Sequence, residues 1–82
     1  MRRTPESPLP LPPLVEYRRR PVFLRARRRT EDGRWWALLS WQESSPSSGR
    51  HWTAERWVDY EQIQPVEGQD YRSVPTVQRE DP

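Results

Sequence analysis

The residues that could carry out catalysis in this sequence are few and widely spread. There is one histidine, His51, next to a serine-rich stretch at residues 43–50, and there is no cysteine. A hydrolytic site needs a nucleophile, a base and a group that orients the base, and this neighbourhood supplies no rigid frame for them. We therefore expect His51 to be a solvated residue at the start of a strand. Without a thiolate, a single histidine also cannot make a typical metal centre.

The candidate acidic residues are Asp59, Glu61, Glu67 and Asp70, which lie two to six positions apart in a predicted turn and tail. No two of them are held on one rigid element, where neighbouring charges could drive their pKa values apart. We expect no enzymatic activity, no metal or other cofactor, and no small-molecule substrate.

Arginine dominates the charged residues, because all fourteen basic side chains are arginine. Residues 1–29 carry nine of them against two carboxylates, a net charge of +7, whereas residues 30–82 have a net charge of −5. Such asymmetry predicts an anionic partner for the basic end. Arginine suits bidentate phosphate contacts and stacking on aromatic rings. A GC-rich genome would also favour arginine codons over lysine codons, and both explanations remain open.

Five tryptophans dominate the apolar residues of a chain that is only 32% hydrophobic. Each can bury a large area, and together they are more than one small core easily hides. The neighbours Trp35 and Trp36 must point to opposite sides of a strand, so we expect one of them to be exposed. Exposed tryptophan beside arginine is typical of interaction surfaces.

The elements that must position these side chains begin with a hairpin. Residues 22–30 and 35–42 alternate in polarity on either side of Asp32-Gly33, and Asp-Gly is a strong hairpin signal. A two-residue loop would pair Glu31 with Arg34 and fix the register of the two strands.

This register predicts one apolar face and one arginine face on the hairpin. The predicted apolar pairs are Thr30 with Trp35, Arg28 with Ala37, Ala26 with Leu39, and Leu24 with Trp41. On the other face, the predicted pairs are Arg29 with Trp36, Arg27 with Leu38, and Arg25 with Ser40. Three aligned arginines would repel one another if buried, so we expect this face to be exposed, with Arg29 stacked on Trp36.

The stretch at residues 51–66 fits two structures. Alternation and aromatic content favour a strand over about residues 51–58, then a tight turn and a short edge strand at 63–66. The alternative is a helix over about residues 53–63, packed on a three-stranded sheet. The predicted fold class is all-β, as a small five-stranded barrel-like or meander sheet over residues 14–66. We expect a disordered proline-rich tail at 1–13 and a polar flexible tail at 67–82.

The order of these elements, with Trp57-Val58 before a turn and Ile63-x-Pro65-Val66 after it, resembles the small Src-homology-three-like and Tudor-like barrels. The resemblance covers about residues 14–66 and implies a fold. It departs from the peptide-binding members, because Arg18-Arg19-Arg20 stands where they carry an acidic loop. The arginine- and tryptophan-rich composition also resembles that of small actinobacterial proteins.

Two functions are consistent with these features. The first is nucleic-acid binding, in which arginines contact phosphates and an exposed tryptophan stacks on a base. Its expected residues are Arg18, Arg19, Arg20, Arg25, Arg27, Arg29 and Trp36. The alternative is a protein-interaction or self-association module that uses exposed tryptophan and arginine. We expect a cytoplasmic location and no membrane contact, since prolines interrupt the apolar residues near the N-terminus.

Overall fold

The computed structural model describes residues 11–77 of the chain, and these form an all-β structure, as the sequence analysis predicts. The six strands are β1 (Leu14–Tyr17), β2 (Arg20–Arg29), β3 (Trp35–Ser44), β4 (His51–Asp59), β5 (Ile63–Pro65) and β6 (Thr76–Val77). A single 3₁₀ turn at Tyr60–Gln62 separates β4 from β5. The alternative of a helix over residues 53–63 is therefore wrong, because its first half is the strand β4.

The strands form one sheet in the order β4-β3-β2-β1-β5, with every neighbour antiparallel. In the described part of the chain, β4 and β5 do not pair with each other, so the sheet stays open rather than closing into a barrel. β6 adds in parallel to the end of β2. This arrangement leaves β4 along one edge of the sheet.

The β2–β3 turn differs from the predicted two-residue loop. The backbone N–H of Thr30 donates to the carbonyl of Arg34, and the N–H of Gly33 donates to the carbonyl of Thr30. Three residues therefore form the loop, and only Gly33 among them has a positive φ, of 86°. The side chain of Asp32 accepts from the Thr30 hydroxyl and the Arg34 N–H, which holds Asp32 in an ordinary turn conformation. The predicted register is thus wrong by one residue at the turn.

A bulge at Arg25 shifts the pairing of β2 with β3 again. Beyond it Leu24 pairs with Leu39, whereas nearer the turn Ala26 pairs with Leu38 and Arg27 with Ala37. An extra residue in one strand changes which side of the sheet the following residues face. The three-residue loop places Arg27 and Arg29 on the opposite side of the sheet from Trp36, and the bulge takes Arg25 out of their row, so the three arginines do not form one exposed face opposite Trp36.

The core lies on one side of the sheet, which we call the inner face. Its buried residues come from four strands and the C-terminal segment: Val15, Tyr17, Val22, Leu24, Ala37, Leu39, Val58 and Val74. The side chains of Trp41, Tyr60, Ile63 and Tyr71 pack against them and remain partly exposed. The opposite side, the outer face, carries Arg28, Trp36 and Trp57.

Residues 66–77, here called the C-terminal strap, fold back over the inner face. Val74 is only 5% exposed and belongs to the core. The Tyr71 hydroxyl donates to the carbonyl of Leu14 and accepts from the N–H of Val66 at 2.7 Å. Gln69 accepts from the N–H of Leu14 at 2.8 Å. The folded part thus continues to Val77, well past residue 66 where the sequence analysis ends it.

The structure describes only part of the two predicted tails, residues 1–13 and 67–82. Residues 1–10 and 78–82 lie outside the described residues. Within the described part of the N-terminal segment, Pro13 is buried and its carbonyl accepts from the N–H of Leu24 at 2.8 Å. Across residues 11–77, no helix has the length and apolar character needed to cross a membrane.

Candidate anion-binding cleft

The turn between β1 and β2 consists of two arginines in an unusual backbone conformation. Tyr17 pairs with Arg20, which leaves Arg18 and Arg19 as the loop, with φ of 53° and 66°. Two successive positive φ angles match the twist of a tight hairpin, but asparagine and glycine adopt them far more readily than arginine. Each such residue costs on the order of 1–3 kcal/mol unless its surroundings compensate. The turn therefore presents two arginine side chains at an energetic cost to the backbone.

Beside this turn lies a cleft of about 140 Å³, which we call the arginine cleft. It is lined by Tyr17, Arg18, Arg20, Val22, Trp41 and Arg56. Three arginines from two distant parts of the chain, the β1–β2 turn and the middle of β4, thus line the same cleft. All three arginines are exposed, whereas Tyr17 and Val22 are buried. The cleft lies at the boundary between the buried apolar residues of the inner face and the solvent.

Two aromatic side chains form the floor of the arginine cleft. Tyr17 is anchored in the core, and the guanidinium carbon of Arg18 lies 5.2 Å from the centre of its ring. Trp41 is half-buried, and its indole N–H donates to the carboxylate of Glu43 at 2.6 Å. Guanidinium groups beside fixed rings can contact a phosphate and a planar ring of the same ligand.

The arginines of the cleft make no ion pair with any residue that the structure describes. Among residues 11–77, the ion pairs join Arg34 to Asp59 at 3.4 Å and Arg72 to Asp70 at 2.9 Å. In the second pair, the hydrogen bonds from Arg72 lower the pKa of the exposed Asp70 carboxyl to about 2. No carboxylate from the described part of the chain lines the arginine cleft. The positive charge of Arg18, Arg20 and Arg56 is therefore available to a ligand.

The other predicted site residues are dispersed over the sheet. Arg27 is half-buried on the inner face, and its Nη2 donates to the carbonyls of Tyr71 and Val74 at 3.3 and 3.4 Å. Arg27 therefore holds the C-terminal strap and is not free to bind a ligand. Arg25 is exposed in the bulge, and Arg19 is exposed in the β1–β2 turn without lining the cleft.

Tryptophan and arginine do stack, but in pairs other than the predicted one. The guanidinium carbon of Arg29 lies 5.8 Å from the centre of the Trp35 ring. The Trp35 side chain is 38% exposed. Trp36 is half-buried on the outer face, where it pairs with Arg28. Arg28 stacks on Trp57 at 4.5 Å, and its buried Nε has no hydrogen-bond partner. The predicted contact between Arg29 and Trp36 is wrong, because the observed register places Arg29 on the inner face of the sheet and Trp36 on the outer face.

Four residues of the arginine cleft are absent from the predicted set: Tyr17, Val22, Trp41 and Arg56. Arg56 follows Glu55 in a strand of mixed polarity, and nothing in its immediate sequence distinguishes it. The signal that could have found it is the alternation in β4, which places Arg56 on the same side as Ala54 and Val58. With the correct register, this alternation puts Arg56 beside Leu39 on the inner face.

Fold and cleft together define a small all-β protein with an open antiparallel sheet and an arginine-lined surface site. Comparison with protein-family models, curated proteins and solved structures finds no match to this chain. Within residues 11–77, no group of three or more histidine, cysteine, aspartate or glutamate side chains is placed to hold a metal ion.

Proposed function

We propose that this chain binds single-stranded nucleic acid through the arginine cleft. The observation that carries the proposal is the convergence of Arg18, Arg20 and Arg56, none of them in an ion pair, around the rings of Tyr17 and Trp41. Phosphates supply the charge that three guanidinium groups attract, and the bases supply planar rings. A single strand fits better than a duplex, because its bases are free to stack on side chains.

The cleft accounts for both kinds of contact in one place. A phosphate between Arg20 and Arg56 would receive charge-assisted hydrogen bonds from both sides. An adjacent base would lie toward Trp41, whose ring is oriented by its bond to Glu43. Stacking of a base on an aromatic side chain contributes about 1–3 kcal/mol. The arrangement carries no base-specific hydrogen-bonding pattern, so we expect weak sequence preference.

The test is a titration of tryptophan emission with single-stranded and double-stranded DNA and RNA at two salt concentrations. For three phosphate contacts on a single strand, raising salt from about 50 to 200 mM should weaken binding about twentyfold. The triple variant Arg18→Gln/Arg20→Gln/Arg56→Gln should lose most of this affinity and most of its salt dependence.

The matched control removes the same number of charges elsewhere. Arg25, Arg29 and Arg50 are exposed and lie outside the arginine cleft, so Arg25→Gln/Arg29→Gln/Arg50→Gln should retain most of the affinity. Equal losses in the two triple variants would show that net charge alone drives binding. No emission change with any nucleic acid at low salt would contradict the proposal.

A protein partner is the second candidate function, and exposed tryptophan supports it. Trp52 and Trp35 are 49% and 38% exposed, and tryptophan is enriched among residues that dominate binding energy at interfaces. Salt separates the two functions, because a tryptophan-centred interface depends far less on ionic strength than phosphate contacts do.

We also propose that this chain is distantly related to the Src-homology-three-like and Tudor-like barrels. This proposal rests on the order of the five main strands and the 3₁₀ turn between β4 and β5, in a sheet that is open among the described residues. Fold alone does not assign a ligand, so the function argued above depends on the cleft and not on this relationship.

A further inference from the structure

The two edges of the sheet differ in how well they resist pairing with another chain. β5 is an edge of three residues that ends in Pro65, which has no backbone donor. β4 is an edge of nine residues, His51–Asp59, without proline or lysine, and no irregularity interrupts its pairing with β3. Long edges with a regular backbone are templates for strand addition, and the charged side chains of Glu55 and Arg56 limit which partner strand fits this one.

The ladder between β3 and β4 determines which backbone groups of β4 point outward. The N–H of Ser45 donates to the carbonyl of Arg50 at 2.9 Å, and in antiparallel pairs bonded and non-bonded positions alternate. Ala54, which pairs with Trp41, therefore directs its backbone groups toward β3. Thr53 and Glu55, by the same alternation, direct theirs away from the sheet, where a second strand can bond to them.

A second copy of this chain meets a self-complementary edge only in some registers. Two copies of β4 related by a two-fold axis through Glu55 or Arg56 would place like charges directly opposite each other, which is destabilising. An axis through Ala54 brings together two small side chains. It also places Trp52 of each copy opposite Arg56 of the other copy. The dimer therefore contains two equivalent cation–π contacts.

We propose that β4 pairs antiparallel with β4 of a second copy, with Ala54 on the two-fold axis, to form a homodimer with one continuous sheet. Thr53 and Glu55 then exchange backbone hydrogen bonds with Glu55 and Thr53 of the second copy. Trp52, 49% exposed in the single chain, becomes covered by Arg56 of the second copy. The proposal uses the edge of the sheet and does not depend on nucleic-acid binding, although Arg56 belongs both to this contact and to the arginine cleft.

The absence of cysteine permits a direct test by disulfide formation. At the axis the two Ala54 residues form a non-hydrogen-bonded pair with Cα atoms about 4.5 Å apart, within the range that a disulfide spans. Under mild oxidation, the Ala54→Cys variant should convert rapidly to a covalent dimer that reductant reverses.

The matched control is Glu55→Cys, an exposed position on the same strand whose two copies are out of register in this dimer. It should cross-link far more slowly than Ala54→Cys. Equal rates for the two variants, or faster cross-linking of Glu55→Cys, would overturn the proposed register.

Sedimentation of the unmodified chain gives an independent measurement. Its average mass should rise toward that of a dimer as the protein concentration increases. Thr53→Pro, which removes an outward-pointing N–H, should remain folded by circular dichroism and monomeric, whereas Thr53→Ala should still dimerise. A constant monomeric mass for the unmodified chain, or a dimeric Thr53→Pro variant, would overturn the proposal.

Discussion

Two of the three hairpin turns among the described residues, β1–β2 and β2–β3, reverse the chain by different means. The β2–β3 turn places Gly33 at the one position with positive φ and uses Asp32 to bind the Thr30 hydroxyl and the Arg34 N–H. The β1–β2 turn places Arg18 and Arg19 at two such positions. The β2–β3 turn has residues suited to its backbone geometry. The β1–β2 turn has residues for which its backbone geometry is unfavourable.

This difference indicates that Arg18 and Arg19 are present in the β1–β2 turn for a reason other than stability. Backbone strain concentrates where function requires a particular side chain, provided the rest of the structure compensates. The strained turn borders the arginine cleft, and the relaxed turn does not. The strain in the β1–β2 turn is therefore a second observation behind the proposal that the arginine cleft is a binding site.

Replacing the strained turn should have the largest effect. Arg18→Asn/Arg19→Gly introduces the preferred residues for two positive φ angles, so the free energy of unfolding should rise by about 2 kcal/mol. The same change removes an arginine of the cleft, so affinity for single-stranded nucleic acid should fall. Urea unfolding and the emission titration measure the two effects.

The control for this variant is Arg18→Gln/Arg19→Gln, which removes the charges and keeps the strain. It should lose affinity without gaining stability. A double variant with asparagine and glycine that gains no stability would contradict the assignment of strain to this turn.

A single alanine at each turn sharpens the comparison with a smaller effect. Gly33→Ala forces an L side chain to a φ of 86° and should lower the free energy of unfolding by about 1–2 kcal/mol. A Cβ at this position would meet only Arg29 Nη2, at an ordinary 3.7 Å, so the cost is one of backbone conformation. Arg19→Ala should be nearly neutral, because the residue already there has a Cβ. Equal losses at both positions would remove the distinction between the turns.

The smallest expected effect is on the acid stability of the relaxed turn. Hydrogen bonds from the Thr30 hydroxyl and the Arg34 N–H lower the pKa of Asp32 below its ordinary value. Its contribution to stability is therefore present above about pH 4 and is lost as pH falls through the lowered pKa. Asp32→Asn should be less stable than the unmodified chain near neutral pH, with the difference shrinking in acid.

Urea unfolding of both proteins between about pH 5 and pH 2 measures this difference. Asp70, whose pKa is lowered to about 2 by its hydrogen bonds to Arg72, titrates in both proteins and cancels in the comparison. A difference that does not depend on pH would show that the charge of Asp32 does not matter for the turn.

The elements of the fold could be predicted from alternation and turn signals, but the register could not. Asp32-Gly33 marked the hairpin correctly, yet loops of two and three residues share this signal. The choice between them depended on the Thr30 side chain. The three-residue loop moved Arg28 opposite Trp36, and the bulge at Arg25, which has no mark in the sequence, shifted the pairing beyond it. Of the six residues that line the arginine cleft, the sequence therefore predicted two, Arg18 and Arg20.

The C-terminal strap was missed for a different physical reason. Tyr71 and Val74 are isolated apolar residues among polar ones, so no periodicity distinguishes them from a tail. Their contribution comes from contacts distant in sequence, such as the bond from the Tyr71 hydroxyl to Leu14. Local patterns carry no information about such contacts.

That bond has a consequence for how the protein is made. Leu14 and Tyr71 are 57 positions apart, so β1 is synthesised long before the residues that complete its surroundings. At about 5–20 residues per second, a ribosome needs roughly 3–11 s to cover that distance. Folds dominated by such long-range pairing also reach their native state slowly. During those seconds the nascent chain exposes an incomplete sheet, and contact between neighbouring nascent copies then carries the greatest risk of mispairing.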